Sequence, residues 1–210
     1  MQATPSDLER TRLRHLDAYA IMDTPSEPAF QALVDQAQQT FGAAAAMMTL
    51  IGADRQWLKA QAGTVEIRQT AQAVSFCASA IQNDNVFVVE DASTHPVFKH
   101  NPMVAGAPHL RFYAGAPLTV NPEIRLGTLC FVSQEPGSLS DEHRQALGTL
   151  RDAVVTQLQL RLQQRNQLTS VCAWCERVQT QTVAPRQVSA ELPLTHGICD
   201  DCAREIRGEF

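Results

Sequence analysis

From Phe112 to Val132 the side chains alternate with the two-residue period of a strand, and that pattern constrains the fold more than any other. In RFYAGAPLTV, Phe112, Ala114, Ala116, Leu118 and Val120 lie against Tyr113, Gly115 and Pro117. In RLGTLCFV, Leu126, Thr128, Cys130 and Val132 lie against Gly127, Leu129 and Phe131. A slip of one residue would exchange the faces, so the register is strongly specified. Asn121, Pro122 and Glu123 between the two runs read as a turn, and together the segments predict an antiparallel hairpin.

The rest of the chain is arranged around that unit. AAMMTLIG and RQWLKAQAG predict a second hairpin that turns at Ala53 and Asp54. Two amphipathic helices precede it. In PSDLE, Ser6 and Glu9 have the spacing of a capping box, and Leu13, Leu16 and Ala20 then share a face. Phe30, Leu33, Val34, Ala37 and Phe41 recur at helical intervals, and Gly42 is placed to end that helix. SFCASAIQN predicts a short helix and VFVVE a strand, while Asp91 to His109 reads as a loop broken by Pro96, Pro102, Gly106 and Pro108. Ser140 then caps a long helix whose first turn carries Asp141 and Glu142, favourable at the positive end of the helix dipole. Its apolar stripe is Leu147, Leu150, Val154, Leu158 and Leu162.

A chain of 210 residues, 44% hydrophobic and 19% charged, supports one substantial core and a small appendage. The net charge of −5 opposes general attraction to nucleic acid or anionic lipid. The first twenty residues show no apolar signal segment, and the longest uncharged run, Gln36 to Ala53, is too short in its apolar part to cross a bilayer. A cytoplasmic location is expected, where paired cysteines are more often metal ligands or redox centres than structural disulfides.

Four of the 6 cysteines fall in the last part of the chain as CAWC and CDDC. The spacing C-x2-C-x23-C-x2-C, from Cys172, Cys175, Cys199 and Cys202, suits a tetrahedral structural zinc ion, because each C-x-x-C turn presents two sulfurs to one metal. His196 is a rival fourth ligand, and a redox dithiol is the competing chemistry. A segment so poor in large apolar groups cannot offset its ordering entropy by burial, whereas zinc supplies on the order of 10 kcal/mol. From Ser170 to Phe210 there are four Arg and no Lys against six carboxylates, which disfavours DNA and suits a protein-docking role.

IMDTPSEPAF, DRQWLKA, SFCASAI, VVEDASTHPVFKHNP, RFYAGAPL and LGTLCFVS, in that order, resemble bacterial GAF domains over about residues 15 to 165. The resemblance implies an α+β, PAS-related fold. It has a central antiparallel sheet, terminal helices on one face and a ligand-sized cavity on the other. Domains are expected at 1–165, the GAF domain with its flanking helices, and at 166–210, the zinc-binding tail. The tail resembles a Cys-rich segment that follows GAF, PAS or receiver domains in some bacterial signalling proteins, with a shorter stretch between its Cys pairs. Ser79 stands where relatives often carry His, and Ser133 where an Asp is usual.

Candidate ligand-binding residues are Phe76, Cys77, Asp91, Phe98, Phe112, Tyr113 and Cys130. Each has a plainer reading beside it. The four aromatics suit a core, Asp91 suits a turn cap, and both cysteines suit buried inert thiols, although Cys77 at a helix start could have a lowered pKa. His95, His100 and His109 fit no compact metal site, and Arg111 reads as a solvated strand-end charge or an anion contact.

The resemblance implies a non-enzymatic sensor that dimerises through its helices, binds a small molecule and signals to a separate protein. The alternative is a thiol enzyme resembling the GAF-type free methionine sulfoxide reductases. Against it, the Asp91 to His109 loop carries no cysteine, and Cys77 has no resolving thiol nearby in the sequence. No Cys-His pair offers attachment to a linear tetrapyrrole, and the charged constellation of a phosphodiesterase-type cyclic-nucleotide pocket is absent from the sequence.

Overall fold

A computed structural model describes residues 5–64, 67–165, 167–172, 178–182 and 195–197, with side chains over 6–64 and 67–165. It comprises two compact units, Met1–Leu158 and Gln159–Phe210. In the first, the order is α1 (Pro5–Tyr19), α2 (Pro28–Phe41), β1 (Ala45–Ile51), β2 (Arg55–Gly63), β3 (Gln69–Ala71), a 3-10 turn (Gln72–Val74), α3 (Phe76–Ala80), β4 (Phe87–Val89), α4 (Pro102–Ala105), β5 (Phe112–Asn121) and β6 (Ile124–Ser133). Helix α5 (Asp141–Arg165) follows, and the division between the units falls within it.

The six strands form one antiparallel sheet in the order β3-β2-β1-β6-β5-β4. Both predicted hairpins are present, and β6 is inserted between β1 and β5. Cys130 of β6 therefore lies opposite Met47 on one side and Gly115 on the other. On one face, α2 packs against β1 and β2 and α1 against β6. Phe41 at the end of α2 stacks on Phe131, ring centroids 4.3 Å apart, and meets His143 of α5 edge-on. The opposite face carries Ala45, Met47, Tyr113, Cys130 and Val132, which pack with Phe76, Cys77 and Ala80 of α3 and with Phe98 and Val104 from the loop.

Local chemistry explains most boundaries. Helix α2 ends where Gly42 takes φ 56°, a left-handed conformation that lets its N–H return to the carbonyls of the last turn. Ser140 caps α5 by accepting the His143 N–H at 3.1 Å, and Ser75 caps α3 by accepting the Ala78 N–H at 3.1 Å. Helix α1 already includes Pro5, so Ser6 lies inside the first turn instead of capping it. Glu9 takes two bonds from the Arg12 guanidinium, at 2.7 and 2.6 Å. Arg12 also donates to the Ile51 carbonyl at 2.6 Å, tying α1 to the end of β1.

Two bonded groups hold the segment between the first helices against β2. Arg55 forms a bidentate pair with Asp23, at 2.8 and 2.6 Å. The wholly buried Lys59 side chain donates to Thr24 Oγ1 and the Pro25 carbonyl at 2.6 Å and to Glu27 at 2.7 Å. A buried ammonium is tolerable only with such donors and counter-charge satisfied. The phrases around Asp23 and Lys59 are therefore two halves of one structural joint.

The second unit contains a separate three-stranded sheet, β8-β7-β9, built from β7 (Gln167–Cys172), β8 (Val178–Thr182) and β9 (Thr195–Gly197). Strand β8 is antiparallel to β7, whereas β9 is parallel to it with Cys172 opposite Gly197. Among the described residues no helix is long and apolar enough to cross a membrane.

Candidate functional site

The sheet face opposite α1 and α2 bounds a cavity of about 530 Å³. Met47, Tyr113, Cys130 and Val132 form its floor, and Gln56 and Leu58 of β2 line one side. Phe76 and Cys77 of α3, with Met103 of α4, cover it. Thr64, Ile67 and Gln69 at one edge and Ala107, Pro108 and Gln134 at the other are exposed lining residues, so the cavity meets solvent between them. No Lys, Arg, His, Asp or Glu occurs among its described lining residues.

The loop over the cavity is pinned by aromatic contacts. Phe98 is buried and stacks on Phe76 at 4.1 Å, and Phe76 stacks on Tyr113 at 5.3 Å. Asn101 caps α4 through the Met103 N–H and donates to the Val74 carbonyl at 2.8 Å. The half-buried Arg111 donates to the carbonyls of Val104 and Leu110 at 3.1 and 3.0 Å, bracing the end of the loop. Ser75 bonds Gln56, joining the start of α3 to β2 beside the cavity. Thr70 Oγ1 is a buried lining oxygen with no hydrogen-bond partner among the described residues.

At the floor, α3 brings Cys77 over β6, with its Sγ 3.7 Å from that of Cys130. The Tyr113 hydroxyl donates to Cys77 Sγ at 3.3 Å. Thr49 and Thr128, whose hydroxyl oxygens are 3.0 Å apart, complete a buried polar cluster. Burial pushes the Cys77 thiol up, but hydrogen bonds from Cys130, Thr128, Thr49 and Tyr113 outweigh that effect and bring its pKa to about 6. The Cys130 thiol is held well above its ordinary value by its hydrogen bond to Cys77 and by burial, so of the two Cys77 is the one that ionises first. Burial, with the nearby sulfurs, also keeps Tyr113 protonated.

The cavity unites Phe76, Cys77, Tyr113 and Cys130 from the candidate ligand set. Phe98 stands behind Phe76 and supports it. Phe112 is placed on the other sheet face, 5.8 Å from Phe131, beside a separate cavity of about 220 Å³. The strand's alternation requires that separation from Tyr113. Asp91 makes a turn, accepting the Ser93 N–H and hydroxyl at 2.9 and 2.6 Å, and those bonds lower its carboxyl pKa. Cys77 does have a neighbouring thiol after all, because pairing of β6 with β1 and β5 carries Cys130 beneath α3. Sequence reading missed Gln56 and Thr70, which carry no recognisable motif and lie on β2 and the unpredicted β3. Of the proposed zinc ligands, Cys172 ends β7, and Cys175, Cys199 and Cys202 lie outside the described residues.

Comparison with known proteins places this geometry in a family. Residues 25–158 match the family described as GAF domain. A cyclic di-GMP phosphodiesterase of Pseudomonas aeruginosa is 38% identical over 132 residues, 63% of this chain. The match spans only 22% of that relative's length. Among solved structures, the free methionine-R-sulfoxide reductase of Neisseria meningitidis superposes with TM-score 0.55 at 17% identity, covering 78% of this chain and 96% of that one. The GAF domain of an Acinetobacter phosphoenolpyruvate-protein phosphotransferase superposes with TM-score 0.54 at 17% identity, covering 76% and 95%. At those identities the likeness concerns the fold.

Proposed function

The chain belongs to the GAF family, a family of sensor modules, and from that premise we propose that it is a non-enzymatic signalling receptor for a small uncharged molecule. The observation that carries this reading is the cavity with no Lys, Arg, His, Asp or Glu among its described lining residues, where the ionisable Cys77 adds only negative charge. A phosphorylated or carboxylated ligand would lose its hydration there without a counter-charge, which is costly, whereas an apolar body with one or two hydrogen-bonding groups would not. Thr70 Oγ1 and Gln56 are the groups to meet such a ligand. A signalling context is supported by the Pseudomonas relative, whose name attaches it to cyclic di-GMP.

Output passes through helices and the tail. The 25-residue α5 would span about 37 Å at an ordinary helical rise, long enough to extend beyond its own sheet and pair with a second copy as a homodimer. The tail holds one structural zinc ion through Cys172, Cys175, Cys199 and Cys202 and docks an unknown signalling protein, without nucleic acid or membrane. Its support is the four-thiol donor set and the parallel β7 and β9 pairing. With Cys172, the last residue of β7, opposite Gly197, the last of β9, and Cys199 two positions further along the chain, the two C-x-x-C motifs begin at or just after strand ends that lie side by side. A cytoplasmic location accords with thiol ligands.

Native mass spectrometry of untagged protein tests all three elements. The expected species is a dimer with one zinc per chain and a neutral co-purifying compound displaced by Thr70→Val. A monomeric, metal-free species that binds only anionic small molecules in a screen would overturn the proposal.

A further inference from the structure

We propose that Cys77 and Cys130 are an oxidisable thiol pair through which the cavity reacts with small organic hydroperoxides, closing to a disulfide. This deepens the reading of the cavity as the sensing site and rests on it, but needs neither the dimer nor zinc. The geometry supplies three requirements. The two sulfurs, from α3 and β6, are 3.7 Å apart, so a bond between them requires side-chain adjustment without joining separate units. Both residues line the cavity, whose exposed edges admit a reagent from solvent. The Tyr113 hydroxyl and the Thr49 and Thr128 pair surround Cys77 with donors suited to a thiolate, and its lowered pKa agrees.

The lining selects the oxidant. A glutathione-type disulfide carries several charges that the described walls cannot meet, whereas a hydroperoxide is neutral and its alkyl group matches Leu58, Met47 and Leu110. The Cys77 thiolate attacks the terminal oxygen of the peroxide and the O–O bond breaks. The alkoxide takes from solvent the equivalent of the proton that Cys77 released on ionising and leaves as an alcohol, and Cys77 becomes a sulfenic acid. Cys130 then attacks the Cys77 sulfur, the S–O bond breaks, and the Cys130 proton leaves with the hydroxyl as water. Two thiols are oxidised by two electrons and one peroxide is reduced to alcohol and water.

The test uses the full wild-type chain, reduced, zinc-supplemented and exposed separately to tert-butyl hydroperoxide, hydrogen peroxide and oxidised glutathione. Non-reducing peptide mapping should recover the Cys77 peptide linked to the Cys130 peptide, with a loss of about 2 Da, the two hydrogens. The link should form fastest with the organic peroxide and not with oxidised glutathione. In Cys130→Ala, a sulfenic acid trapped by dimedone should accumulate at Cys77. Both thiols remaining fully alkylatable under the organic peroxide would overturn the proposal, as would reaction confined to oxidised glutathione. Unlinked thiols in protein that still carries a displaceable neutral ligand would reject the redox step and leave the receptor reading intact.

Discussion

Two buried side chains concentrate the residue-scale chemistry. Lys59 is enclosed on the helix side, where its ammonium meets Thr24, Pro25 and Glu27. Lys59→Met keeps the volume but strips Glu27 and two oxygens of their donor. Glu27 retains access to water, so the loss is expected at about 2 kcal/mol, below that of a fully enclosed pair, and is read from the urea midpoint at unchanged slope. Cys77 lies on the cavity side, and its thiolate is the nucleophile. Its alkylation rate, followed by peptide mass spectrometry, should rise with pH through about 6 and level off by neutrality. An ordinary thiol continues to gain reactivity through about 8.5. Tyr113→Phe removes one donor to the thiolate and should move that midpoint upward; an unmoved midpoint would assign the shift elsewhere.

The elements owe their ends to single residues. Gly42 has positive φ and open space around its missing side chain, so Gly42→Ala tests backbone strain alone. It should cost about 1 kcal/mol in equilibrium unfolding while leaving cavity chemistry unchanged. Gly115 matters for another reason. Its missing side chain leaves room for the Tyr113 ring and hydroxyl, which a methyl group would overlap. Sequence reading located both long hairpins, α2 with its glycine stop, and α5 with its serine cap, because alternation, helical spacing and capping are local signals. It did not find β3 or α4, which are three and four residues long and too short for a period to emerge. It started α1 at Ser6, one residue inside a helix that begins at Pro5, and it could not foresee the Arg12 contact with Glu9 and the Ile51 carbonyl, which depends on where β1 ends.

At the scale of the whole molecule, the two units should separate energetically. Cys199→Ser is expected to abolish zinc retention, measured by elemental analysis after gel filtration. The thermal transition of the GAF unit should persist, because its described core is built from residues up to and including Leu158. Loss of both together would show that the core depends on the metal.

The order of helices and hairpins, the net negative charge and the thiol spacing of the tail were determined by the sequence alone. Each follows from residue type and spacing along the chain. Only tertiary structure decided that Cys77 and Cys130, 53 positions apart, share one polar cluster, that Phe112 and Tyr113 serve opposite faces of one core, and that no cationic side chain lines the described cavity walls. Those facts depend on strand order and on the placement of α3 across the sheet, which no local period encodes.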